Sequence, residues 1–134
     1  KQSFKLDDVV SVKIGGGSNS GKAYNNDHIR IYATDSPAGT MTISVPDGYE
    51  LVSVNITAKT GTYAFFYLDG TTTSVCNNDV AVSGNSVLIK SVKNGSNGKQ
   101  VQVTGIKVVY KRSASASSLR FNEIATPFSR KEWF

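Results

Sequence analysis

Little in this chain could cross-link it. It has one cysteine, Cys76, and one histidine, His28. A lone thiol makes no internal disulfide and cannot by itself build a zinc site, so Cys76 reads as a buried, inert side chain. A lone histidine leaves nucleophilic catalysis with a single base to bring to a serine and an acid. His28 shares the polar face of an extended segment with Arg30, where it reads as a surface histidine. No apolar run approaches the roughly 20 residues that span a bilayer, so no membrane span is expected. No stretch combines helical period with caps. The numbering opens at Lys1 without a methionine, which is compatible with a leader removed earlier.

The balance of the composition is ordinary. At 134 residues, 39% hydrophobic and 19% charged, the chain fits one globular domain. The net charge is +5 at pH 7. The excess collects late, at Lys111, Arg112, Arg120, Arg130 and Lys131, against Glu123 and Glu132. A basic balance favours acidic partners such as nucleic acid, anionic glycans or a bacterial surface, and a solvated basic tail accounts for the same charges.

What the chain has in quantity is alternation with period two. Val10, Val12 and Ile14 alternate with Ser11 and Lys13. Ile29 and Ile31 alternate with His28, Arg30 and Tyr32. Met41, Ile43 and Val45 follow the same rule, as do Val52, Val54, Ile56 and Ala58, and more weakly Val80, Val82, Val87 and Ile89. Such strands have one wet and one dry face. In the last long segment the parity changes: Val101 and Val103 take one face, whereas Ile106, Val108 and Tyr110 take the other. A β-bulge near Gly105 would return all five to the core. Turn signals such as Pro46-Asp47-Gly48, Asp69-Gly70 and Gly84-Asn85 separate the strands. The expectation is an all-β, antiparallel two-sheet sandwich, jelly-roll-like, of eight to ten short strands over residues 1–112. Residues 113–118, rich in Ser and Ala, read as a linker. Residues 119–134 form an apolar and basic tail. Its Leu119, Phe121, Ile124, Phe128 and Trp133 are expected to dock on this domain's own sheet or on a neighbour's, with a strand over residues 119–125.

Several segments invite chemistry. Gly16-Gly17-Ser18-Asn19-Ser20-Gly21-Lys22 has the spacing of a phosphate-binding loop. Ala23 replaces the expected hydroxyl and no amphipathic helix follows, so it reads as a flexible inter-strand loop. Asp35, Asp47, Asp69 and Asp79 fall in turns, where aspartate has a local structural use. Asp27, Asp35 and loop carbonyls offer the oxygen ligands that calcium takes, but no spaced calcium motif accompanies them, so no cofactor is expected. Asn55-Ile56-Thr57 and Asn94-Gly95-Ser96 are glycosylation sequons. The most suggestive run is Tyr63-Ala64-Phe65-Phe66-Tyr67-Leu68. If Ala64, Phe66 and Leu68 enter the core, Tyr63, Phe65 and Tyr67 line the other face and can stack on sugar rings or nucleobases; the alternatives are that the apolar tail covers that face or that the aromatic face is itself the core. Arg30 and Tyr32 share a polar face and can fix a ligand's orientation.

Ile29-Arg30-Ile31-Tyr32, Gly39 to Ser44, Gly48 to Thr57 and Val103 to Tyr110, taken together, resemble β-sandwich modules, including carbohydrate-binding ones, of bacterial surface and secreted proteins. The resemblance covers residues 4–112. It implies a non-catalytic binding module, extracellular or on the cell surface, with a glycan or cell-surface polymer as partner and not nucleic acid. The alternative is an assembly subunit of a pilus, filament, surface layer or phage virion that self-associates through its tail.

Overall fold

The structure, a computed structural model, describes residues 2–113 and the backbone of residues 121–127. The described residues contain strands and no helix, and hence none long and apolar enough to cross a membrane. In chain order the strands are β1 (Ser3–Lys5), β2 (Ser11–Gly15), β3 (Lys22–Tyr24), β4 (His28–Tyr32), β5 (Thr40–Ser44), β6 (Tyr49–Ala58), β7 (Phe65–Leu68), β8 (Val80–Ala81), β9 (Ser86–Val92), β10 (Gln100–Arg112) and β11 (Phe121–Pro127).

The strands form two antiparallel sheets. The first has the order β1-β2-β5-β9-β7, the second β3-β4-β10-β6-β8, with β11 also paired to β10. From β4 to β10 every connection crosses from one sheet to the other, so neither sheet can form without its partner. The inner faces carry the alternating residues: Val12 and Ile14, Ile29 and Ile31, Met41 and Ile43, Val54 and Ile56, Phe66 and Ile89 are all buried. Together they make the single apolar layer that sandwich packing requires. The all-β, antiparallel sandwich expected from the alternation is what the chain forms.

The parity change in β10 has the expected cause. Val103 pairs with Ala58 but Gly105 pairs with Thr57, so Thr104 is the extra residue, and Val101, Val103, Ile106, Val108 and Tyr110 are all buried. A second bulge was not expected. Val109 pairs with Ser53 and Tyr110 with Leu51, which leaves Val52 as the extra residue. Leu51 therefore occupies the core and Val52 is only partly buried, against the simple alternation.

One flank of the sandwich is closed by residues 73–77. The Val75 amide donates to the Phe66 carbonyl of the first sheet (3.0 Å), and its carbonyl accepts from the Ile56 amide of the second (2.8 Å). The Leu68 amide donates to the Thr73 carbonyl, so the outer edge of β7 is covered. On the other flank, Asp7 ties the first sheet to the second. It accepts from the Val9 and Val10 amides and, at 2.7 Å, from the Tyr110 hydroxyl.

β11 lies antiparallel to β10 through seven register pairs, from Gly105 opposite Pro127 to Lys111 opposite Phe121. It follows β4 along the same side of β10, because β4 takes positions 100–103. The expected linker beyond Ser113 lies outside the described residues, as do Leu119, Phe128 and Trp133. Phe121 and Ile124 fall in β11, opposite Lys111 and Val108.

Candidate functional site: two outer faces

Strand β7 sets the first face. Phe66 is fully buried and Ala64 nearly so, which turns Phe65 and Tyr67 outward. Their rings stack, with centroids 5.1 Å apart and an interplanar angle of 12°. The cross-strand partner of Phe65 on β9 is Val92. Phe65 and Val92, at 38% and 44% exposure, are the exposed large hydrophobic residues among those described, and they adjoin. Because Phe65 covers one face of Tyr67, the other face is the one open to a ligand. Beside it runs a groove of about 570 Å³, lined by Tyr67, Leu68, Lys90, Val92 and the turn Asp69–Thr72. Lys90 and Asp69 form an ion pair at 3.0 Å on its wall. The groove thus offers one aromatic face and a rim of charged and hydroxyl groups, the make-up of a small polar-ligand site.

Tyr63 does not complete a row of three. It lies before β7, half-buried, with its carbonyl held by the Asn94 side-chain amide (3.1 Å). That bond also occupies one of the two sequon asparagines. The other, Asn55, donates to Asp79 and accepts from the Asn78 amide.

Arg30 and Tyr32 stand elsewhere, on the outer face of the second sheet. Ile29 and Ile31 point inward, so His28, Arg30 and Tyr32 point outward together. Here the reading of His28 as a surface residue is corrected: it is 2% exposed. Its ring stacks on Tyr24, its cross-strand neighbour, and is covered by its polar partners. Nδ1 bonds Asp27, and Nε2 accepts from Arg30 Nε at 3.1 Å. An arginine only donates, so Nε2 is the acceptor and Nδ1 the donor toward Asp27. Lys59 holds the other Asp27 oxygen at 3.3 Å. The hydrogen bond from His28, with Lys59 assisting and against the effect of burial, holds the Asp27 carboxyl below its usual value. The Arg30 guanidinium lies 3.9 Å from the centroid of the Tyr24 ring. A hydrogen bond with Tyr32 pushes the Tyr24 phenol up.

The glycine-rich segment is tied to its neighbours by hydrogen bonds. The amides of Gly17 and Gly21 donate to the Pro37 and Arg30 carbonyls. The Ser20 amide and hydroxyl both donate to Asp35, each at 2.8 Å. A carboxylate of the protein already takes the amide that a phosphate would need. Asp35 holds Ser20, and Asp27 holds His28 and Lys59. The described residues hold no group of three or more His, Cys, Asp or Glu side chains that could hold a metal ion. Cys76 is partly buried, and burial pushes its thiol up to about 11.

Phe65 and Tyr67 are therefore brought together, as are Arg30 and Tyr32, but the two pairs lie on outward faces of different sheets. Sequence reasoning missed Tyr24, Asp69, Lys90 and Val92. Tyr24 sits in a three-residue strand between a glycine-rich loop and Asn25-Asn26, both at positive φ, too short to show a period. No family model matches the chain, and comparisons with curated proteins and with solved structures return no match.

Proposed function

We propose that this chain is a non-catalytic, glycan-binding module of a secreted or surface-exposed bacterial protein. The observation that carries the reading is the stacked Phe65–Tyr67 pair, with Phe65 exposed beside Val92 and Tyr67 partly exposed on the wall of the β7–β9 groove. A protein normally buries such rings. Left in water next to hydroxyl and charged groups, they suit a ligand with apolar faces and polar edges, which describes a pyranose ring. Tyr67 is the stacking platform, and Asp69, Lys90, Thr71 and Thr72 orient the hydroxyls. The test is binding to a panel of neutral and acidic polysaccharides. Retention that falls about tenfold in Tyr67→Ala, near 1.4 kcal/mol, supports the reading. A panel that stays blank removes it.

A second reading, as an assembly subunit, draws on β11. Hairpin connections usually take about two to five residues, whereas residues 112–120 separate Lys111 from its partner Phe121. A connection of that length can carry the strand to the same edge of a second copy.

A further inference from the structure

Arg30 is built like a receptor for an anion. Its Nε is fixed by His28, His28 by Asp27, and Asp27 by Lys59. Its guanidinium lies over the Tyr24 ring, and Gln102, its cross-strand neighbour on β10, is 8% exposed. An arginine immobilised in this way keeps its terminal N–H groups available at little entropic cost, which is how a planar fork recognises an oxyanion. Its other cross-strand neighbour is Lys22. Two cations directly opposite each other on one face destabilise a sheet. Among the described residues, neither has a carboxylate partner. The nearest acid in the network, Asp27, is already shared between His28 and Lys59.

We propose that the outer face of β3 and β4 holds a second binding site, centred on Arg30 and Lys22, for the carboxylate or sulfate of an acidic carbohydrate. The charge count favours a single oxyanion. A nucleic-acid track needs a stripe of cations along successive phosphates, and this face offers Arg30 and Lys22, with Lys59 beside them already paired to Asp27. Tyr24 and Tyr32 flank the anion with ring surface and hydroxyls for the rest of the sugar. The word carbohydrate rests on the proposed function; the anion site does not, because it shares no residue with the Tyr67 groove.

The experiment is a titration of the full chain, followed by backbone and side-chain NMR shifts. The probes are a uronic acid oligosaccharide, a sulfated disaccharide, a neutral oligosaccharide and a short single-stranded DNA. The expected result is shifts at Lys22, Tyr24, Arg30 and Tyr32 with an acidic sugar. Arg30→Gln should lower its affinity about tenfold or more, with Arg30→Lys recovering only part, as loss of the fork predicts. The shifts at Lys22, Tyr24, Arg30 and Tyr32 should be the same in Tyr67→Ala as in the unaltered chain, whatever that variant does to retention by the Tyr67 groove. Lys22→Ala, at an exposed position, provides an independent variant and should weaken binding without disturbing the fold. Acidic sugars that bind with unmoved shifts on β3 and β4, or not at all, overturn the site. Equal or tighter binding of DNA at those residues overturns the carbohydrate assignment. Neutral sugars that fail to bind while acidic sugars shift Arg30 would sink the Tyr67 groove and leave this site standing.

Discussion

Asp7 shows how much one short side chain can hold. Burial pushes its carboxyl up, but the Val10 amide, the Tyr110 hydroxyl and the Val9 amide, with Lys5 nearby, outweigh that and hold it below its ordinary value of 3.8. Burial, then the bond to Asp7, pushes the Tyr110 phenol up to about 12. The two shifts bound a pH window. A depressed carboxyl stabilises the fold above its unfolded value, and that stability is lost as pH falls below about 4. A raised phenol stabilises below pH 10, and that stability is lost as pH rises from 10 toward 12. Tyr110→Phe should cost about 1.5–3 kcal/mol in urea unfolding at pH 7, the range for a hydrogen bond to a charged group. It should also flatten the alkaline limb. An unchanged midpoint would mean that the bond contributes nothing. Cys76 follows the same logic: with its thiol at about 11, a thiol reagent at pH 8 should label the folded protein slowly and the urea-unfolded protein quickly.

At the scale of the element, the bulges decide which side chains are inside. The one at Thr104 was legible because five apolar residues change parity around a glycine, and only an inserted residue reconciles them with one core. The one at Val52 was not, because Leu51 and Val52 are both apolar and either could face inward. The partner strand settles it, since Tyr110 pairs with Leu51. Leu51→Ala should therefore cost about 2–5 kcal/mol, and Val52→Ala about 1 kcal/mol or less. Equal costs in matched urea titrations would contradict the register. His28 escaped notice for a related reason. Alternation placed it on the outward face correctly, but an outward face is wet only if no neighbouring side chain covers it, and Tyr24 comes from a strand too short to be read.

For the whole molecule, the sandwich was legible and the grouping of its functional residues was not. Period two tells which face of a strand a residue takes, but not which sheet the strand joins. Arg30 and Tyr67 consequently looked like parts of one site, although they belong to separate sheets. Topology also gives the tail a definite test. Size-exclusion chromatography of the chain lacking residues 113–134 should show an unchanged folded monomer if β11 serves only its own β10. Loss of a dimer or larger species present in the full chain would support exchange of the strand between copies.

The closure at residues 73–77 has a further consequence. Val75 is bonded to β6 and β7 at once, so the two layers cannot shear along that flank without breaking one of these bonds. Tyr67 rides on β7 just inside this staple. Its ring therefore belongs to a surface already set before any ligand arrives, and recognition there should draw little conformational entropy from the protein.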